Sequence, residues 1–276
     1  MSDGHERFQS DSLKTHQDGP RLDIVLNRPD QRNAINREMA RTFSELVDWL
    51  PEQDDIRVVV LRGAGGHFCA GGDIKERLAQ SRLSADEARS VLFDDNHQAG
   101  LGFIAFEDLP QVTIAAVEGS AFGGGLGYAC LADITIASKS AHFGMPETTL
   151  GVAPAQIAQF VVKRLGLAKA RQLALTSQRF NGEEAFNIGL AHYLCDVDAM
   201  DETIKTVVAK VLKGGPKANA ATKDIMNKVG SISAADMSRY SAEVFAYLNA
   251  GDEAQEGQSA FAEKRKPAWQ NTDGDG

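Results

Sequence analysis

The stretch Ile114–Asp133, IAAVEGSAFGGGLGYACLAD, passes from a strand-like run through a glycine cluster into a helical segment. The same order occurs earlier in IRVVVLRGAGGHFCAGGDIKE, Ile56–Glu76, which again reads strand, glycines, helix. The apolar run Ile56–Leu61 suits a strand covered on both faces. Glycine lets a ligand approach the backbone closely, and a helix N-terminus presents unpaired N–H groups with a partial positive charge. Two such turns could converge on one anion, or on the oxyanion of an enolate or tetrahedral intermediate. Helix-on-strand packing is the plainer use of either turn taken singly.

Three other uses of glycine-rich turns are tested by spacing. A P-loop requires Gly-Lys-Ser or Gly-Lys-Thr, and neither turn has it. A dinucleotide fingerprint starting at Gly63-Ala64-Gly65 would need glycine where Phe68 stands. The G-x-S-x-G elbow of serine hydrolases is absent too.

Outward from these turns, strand and helix alternate over the first ~190 residues, which favours an α/β layer fold. RLDIVLNRP reads as a strand stopped at Pro29. Asn36 is placed to cap a helix carrying Met39, Phe43, Leu46, Val47 and Leu50 at helical spacing. Further helices are expected over Asp73 to about Gln80 and Ser84 to about Phe106, with strands in QVTIAAVEG and ADITIAS. From Asp201 the pattern changes to four successive apolar-striped helices, which must fold back on the core or meet another subunit. The expected organisation is a polar leader over 1–18, a core with the site over 19–200, a helical region over 201–270 and a disordered tail over 271–276.

The 276 residues are 43% hydrophobic and 24% charged, the balance of a chain that buries a core. A formal charge of −9 argues against a nucleic-acid or anionic-membrane surface, which draws on clustered Lys and Arg. No apolar run approaches the ~18 residues of a membrane span, and the polar N-terminus lacks a signal-peptide core. Cys69, Cys130 and Cys195 form no CxxC and leave one over, which suggests free thiols and a cytoplasmic setting.

Taken in order, LNRPDQRNAIN, FCAGGDIKE, VEGSAFGGGLG, FGMPETTLG and EGQSAFAEKRKPAW resemble the crotonase superfamily, the enoyl-CoA hydratases and isomerases, along nearly the whole chain. Locally, HFCAGGDIK and PAQIAQFVVKRLG are most similar to hydratases of isohexenylglutaconyl- and methylglutaconyl-CoA. The resemblance implies a spiral of ββα turns, a C-terminal helical region for trimerisation and often a hexamer of two trimers. It implies an acyl-CoA thioester as ligand, no metal or redox cofactor, and a place in fatty-acid, terpenoid or leucine catabolism. Carried over by position, Gly72 and Gly124 supply the two oxyanion-hole N–H groups, and Glu147 supplies the acid–base carboxylate. Ala70, Lys75, Phe261 and Lys264 fall at CoA-binding positions, the last often reached from a neighbouring subunit.

The second glutamate usual in hydratases falls at Gly127, which can be neither acid nor base. Room for a bulky acyl group is one reason for glycine there, and drift is another. Tyr128 beside it could offer a hydroxyl, while His67, His142, Cys69 and Cys130 read as structural. In GVAPAQIA, Ala155 replaces a glycine of the usual hydratase pattern and questions a straight-chain substrate. The reading is a hydro-lyase acting on a branched, glutaconyl-type enoyl-CoA with one glutamate. Its rivals are a Δ3,Δ2-enoyl-CoA isomerase, a thioester hydrolase, and a non-catalytic protein binding CoA esters or RNA.

Overall fold

The alternation of strand and helix is realised as stacked strand–turn–helix units in a computed structural model, which describes residues 4–79 and 84–270. The chain opens with β1 (Leu13–Asp18) and β2 (Arg21–Leu26), antiparallel across Gly19. Helix α1 (Arg37–Trp49) starts as expected: Asn36 Oδ1 accepts the Met39 N–H at 2.9 Å, and Met39, Phe43, Leu46 and Val47 form its buried stripe. Strand β3 (Val58–Gly63) is followed by α2 (Ile74–Ala79) and α3 (Ala85–Glu107). Then come β4 (Val112–Val117), β5 (Ser120–Phe122), α4 (Gly124–Leu131), β6 (Ile134–Ser138), β7 (His142–Gly144) and α5 (Ala158–Thr176). The core closes with β8 (Phe180–Asn181), α6 (Gly182–Asn187) and β9 (Tyr193–Cys195).

The strands form two sheets, ordered β1-β2-β3-β4-β6-β9 and β5-β7-β8. From β2 to β9 the larger sheet is parallel. Each unit sends a long strand through the large sheet and a short one through the small sheet, then returns by a helix: β4–β5–α4 and β6–β7–α5. The unit begun by β3 has an isolated bridge from Cys69 to Ala121 in place of a short strand. This is the expected ββα spiral.

One correction concerns the start of the core. The segment read as a polar leader contributes an edge strand over Leu13–Asp18, and before it His5 and Phe8 are buried. Its polar residues hide a working alternation, with Leu13 and Thr15 inward and Lys14 outward. The expected tail, Gln80 and residues 1–3 lie outside the described residues.

The C-terminal helices differ in how they meet the core. Helix α7 (Met200–Val211) folds back, packing Ile204, Val207 and Val208 over Val58, Val60, Ile114 and Ile136 of the large sheet. Helices α8 (Pro216–Lys228), α9 (Ala234–Asn249) and α10 (Asp252–Ala262) bury little and leave Met226, Val229, Phe245, Tyr247 and Phe261 exposed. Among the described residues no helix is long and apolar enough to cross a membrane.

Candidate active site

The two glycine turns meet. A Cβ placed on Gly71 would lie 3.0 Å from the Phe122 carbonyl oxygen and 3.5 Å from the Gly124 amide nitrogen. Gly71 at φ +89° and Gly123 at φ +52° hold left-handed conformations that suit glycine alone among common residues, and so bring the backbones together. The 3.0 Å approach adds a steric reason at Gly71.

Gly72 is oriented by a strap from Ile35. The Ile35 N–H donates to Gly71 O at 2.8 Å, and the Asp73 N–H donates to Ile35 O at 2.9 Å. Those bonds flank Gly72 on one side, so its own N–H is turned to the other, as alternation in an extended chain requires. Asp73 caps α2, accepting the Lys75 and Glu76 N–H groups at 2.9 and 3.3 Å and pairing with Arg28 at 2.9 Å. Burial pushes the Asp73 carboxyl up, but the Arg28 guanidinium and the two N–H groups outweigh it and hold the group below the usual range.

Gly124 opens α4, where the first N–H groups have no intrahelical partner. Among the described residues neither Gly72 N–H nor Gly124 N–H donates to another backbone group. The far end of α4 is clamped by Arg164, which donates to the carbonyls of Cys130 (2.8 Å) and Ala132 and contacts His192. The N-terminal donors therefore sit on a helix anchored at its far end.

Glu147 completes the group. It begins a 3-10 turn, Glu147–Leu150, after Pro146. Its Oε1 lies 2.9 Å from the position a Cβ would take on Gly123, and its Oε2 is buried. A carboxylate thus stands beside the two glycine turns and their backbone donors. That set can polarise a carbonyl and move a proton at a neighbouring carbon.

The place of the second carboxylate is filled. A Cβ on Gly127 would lie 2.5 Å from Ile157 Cγ2, 3.2 Å from Ile157 Cβ and 3.6 Å from Phe103 Cε1. Room for a bulky acyl group is therefore not what the glycine leaves. Ile157 takes that volume, and with Ile35 and Phe103, which lie 3.5 and 3.6 Å from the corresponding point on Gly124, it makes an apolar wall beside the donors.

Tyr128 is held in the apolar packing behind the turns. Its ring packs against Phe43, Phe103 and Phe106, and burial pushes its phenol up. Cys69 and Cys130 are buried, and burial pushes their thiols up to about 12, which disfavours the thiolate. His67 Nδ1 accepts the Ser120 N–H at 3.2 Å, a structural use. Ala70 lies in the same turn, its N–H on Arg32 O at 2.9 Å.

The structure does not gather every expected residue. Lys75 is exposed on α2. Phe261 is 86% exposed at the end of α10, with Lys264 just beyond it, and among the described residues neither is tied to the glycine turns by a hydrogen bond or ion pair. A separate cleft of about 950 Å³ between α8, α9 and Asp108–Pro110 shares no residue with the turns. The turns, not this cleft, bring backbone donors and a carboxylate together. Ile35, Phe103 and Ile157 escape sequence reading because only the folded chain brings them to the glycines, although Ile35 lies within LNRPDQRNAIN and Ile157 within PAQIAQFVVKRLG, both quoted for the resemblance.

Residues 22–272 match the family described as enoyl-CoA hydratase/isomerase. The fold is similar to an enoyl-CoA hydratase/isomerase from Marinobacter aquaeolei, 40% identical, with TM-score 0.90 and coverage of 95% of this chain and 100% of that one. It is similar to Pseudomonas aeruginosa AtuE at 41% identity and TM-score 0.89, covering 94% and 100% of the two chains. A carnitinyl-CoA dehydratase of Proteus mirabilis is 31% identical over 266 residues, 94% of this chain and 98% of that protein.

Proposed function

Since the chain belongs to the enoyl-CoA hydratase/isomerase family, we propose that it adds water across the double bond of an α,β-unsaturated acyl-CoA, with Glu147 as the one acid–base carboxylate. The observation that carries this reading is the seating of Glu147 against Gly123, one residue from the Gly124 donor and opposite the Gly71–Gly72 turn. The thioester oxygen accepts the Gly72 and Gly124 N–H groups. Glu147 takes a proton from water as the oxygen bonds to Cβ, and the electron pair of the double bond moves onto the thioester as an enolate. The protonated Glu147 then returns a proton to Cα, which restores the carboxylate. Each backbone donor of such a hole typically contributes about 3–4 kcal/mol to lowering the barrier.

A branched, glutaconyl-type acyl group is the substrate class in this reading, supported by the local resemblance around the GVAPAQIA segment. Ala70 and Lys75 receive the coenzyme from this chain, and Phe261 and Lys264 do so across a subunit contact. The apolar wall of Ile157 and Phe103 favours one rival, double-bond migration, because shuttling a proton between Cα and Cγ needs one carboxylate and no water.

Incubation with 2-enoyl-, 3-enoyl- and 3-methylglutaconyl-type CoA esters in D2O, followed by product mass, separates the two. Addition of the mass of water identifies the hydro-lyase. Deuterium uptake with bond migration and no hydration would instead assign the chain to the isomerases.

A further inference from the structure

The first part of α5 lies along α4. Ile157, its N-terminal cap residue, and Arg164, seven positions on, share one helix face. Ile157 fills the volume beside Gly127 of α4, and Arg164 reaches the end of the same helix. There its Nε donates to Cys130 O at 2.8 Å and an Nη donates to Ala132 O. Two residues later α5 breaks at Gly166, φ +74° and ψ 157°, so this first part ends just past the arginine.

The guanidinium is half-buried, and among the described residues it pairs with no carboxylate. The two acids whose field reaches it are engaged elsewhere. Asp133 pairs with Lys223 at 2.8 Å and accepts from Thr113, and Glu107 pairs with Lys163 at 2.9 Å. The remaining neighbour, His192 Nε2 at 2.8 Å, is pushed toward its neutral form by burial and by the guanidinium itself. Taking a charge out of water costs free energy unless something negative faces it. Here the negative group is the carbonyl end of α4, where aligned peptide dipoles leave a partial negative charge. A neutral donor could cap the same carbonyls with less desolvation, so the charge itself calls for a use.

The other end of α4 is Gly124, eight residues and about 12 Å away at 1.5 Å per residue. We propose that Arg164 is a positioning residue for the reaction: it holds α4 by its carbonyl end and offsets the negative charge there, so that the helix presents the Gly124 N–H and its positive end to the thioester oxygen. The inference rests on the reading of the glycine turns as an oxyanion hole. Arg164 touches no substrate, and its charge acts along the helix. A unit charge some 12–15 Å from a developing oxyanion, at an effective dielectric of about 20, changes the rate by roughly five- to tenfold. The effect falls on kcat, because charge on the oxygen grows toward the enolate.

Two variants separate charge from contact. Arg164→Gln keeps an amide donor for one carbonyl and loses the charge, whereas Arg164→Lys keeps the charge and loses the planar fork. Both are assayed for kcat and KM on an enoyl-CoA ester. In parallel, the thioester C=O stretch of bound butanoyl-CoA, which has no double bond to hydrate, reads the strength of the two donors. Arg164→Gln is expected to lose roughly five- to tenfold in kcat with KM nearly unchanged, and to shift the bound carbonyl less than wild type does. Arg164→Lys should stay within about twofold of wild type in kcat and keep the carbonyl shift. A Gln variant with wild-type kcat and shift overturns the inference, as does a Lys variant that falls as far as Gln. A lower melting temperature with the bound frequency unchanged would make Arg164 a structural clamp alone, and overturns it too. A wild type that binds butanoyl-CoA with no carbonyl shift overturns the oxyanion-hole reading as well.

Discussion

At position 127 a neighbour decides the residue. The Ile157 methyl group 2.5 Å from any Cβ there makes the glycine a packing requirement. Alanine would gain about 1 kcal/mol of helix propensity, against a cost of about 1–3 kcal/mol for overpacking. Gly127→Ala is therefore expected to lower the melting temperature, and Ile157→Ala in the same chain to reverse the sign of the alanine effect. If Gly127→Ala stabilises the otherwise unaltered protein, the packing account is wrong. The absence of a carboxylate at 127 was legible in the sequence, because the surrounding motif marks the position. Its physical cause was not, since Ile157 lies 30 positions away and touches Gly127 only in the folded chain.

At the scale of elements, the two backbone donors of the proposed mechanism depend on parts outside the glycine turns. The Ile35 strap turns the Gly72 N–H, and the Arg28–Asp73 pair ties the strap to α2. Arg28→Ala should lower kcat more than it raises KM, because it loosens a donor used most strongly in the transition state. Equal effects on both constants would mean that Arg28 supports binding only. The pH dependence has a definite sign. Asp73 has a folded pKa below its unfolded value, so its contribution is fully present above roughly pH 4 and fades as pH falls through the folded value. The stability gap between wild type and Arg28→Ala should accordingly be widest above about pH 4 and narrow in more acidic solution, as urea titrations at several pH values would read. A gap that widens on acidification would exclude the ion pair as its source. The Asp73 cap was suggested by its place before a helix, whereas its partner Arg28 was not, since they lie 45 positions apart.

For the whole molecule, the order of strands and helices was readable because strand and helix alternate along the core and two of its turns share the strand–glycine–helix order. The edge strand Leu13–Asp18 was missed because its outward face and flanks are polar. The fate of the last helices divided because α7 has a sheet face to cover, while α8 to α10 keep Met226, Val229, Phe245 and Tyr247 exposed. Apolar exposure on that scale favours self-association, so sedimentation should find an assembly larger than one chain, and Phe245→Asp should shift it toward smaller species. A monomer at micromolar concentration would leave Phe261 and Lys264 without a route to the coenzyme. The central claim, one carboxylate working against two backbone donors, is tested most directly by Glu147→Gln. Turnover of an enoyl-CoA ester and equilibrium binding of the same ester are measured in parallel. The account predicts a fall in kcat of about 10²–10⁴-fold with binding nearly unchanged; a variant that keeps wild-type turnover would contradict it.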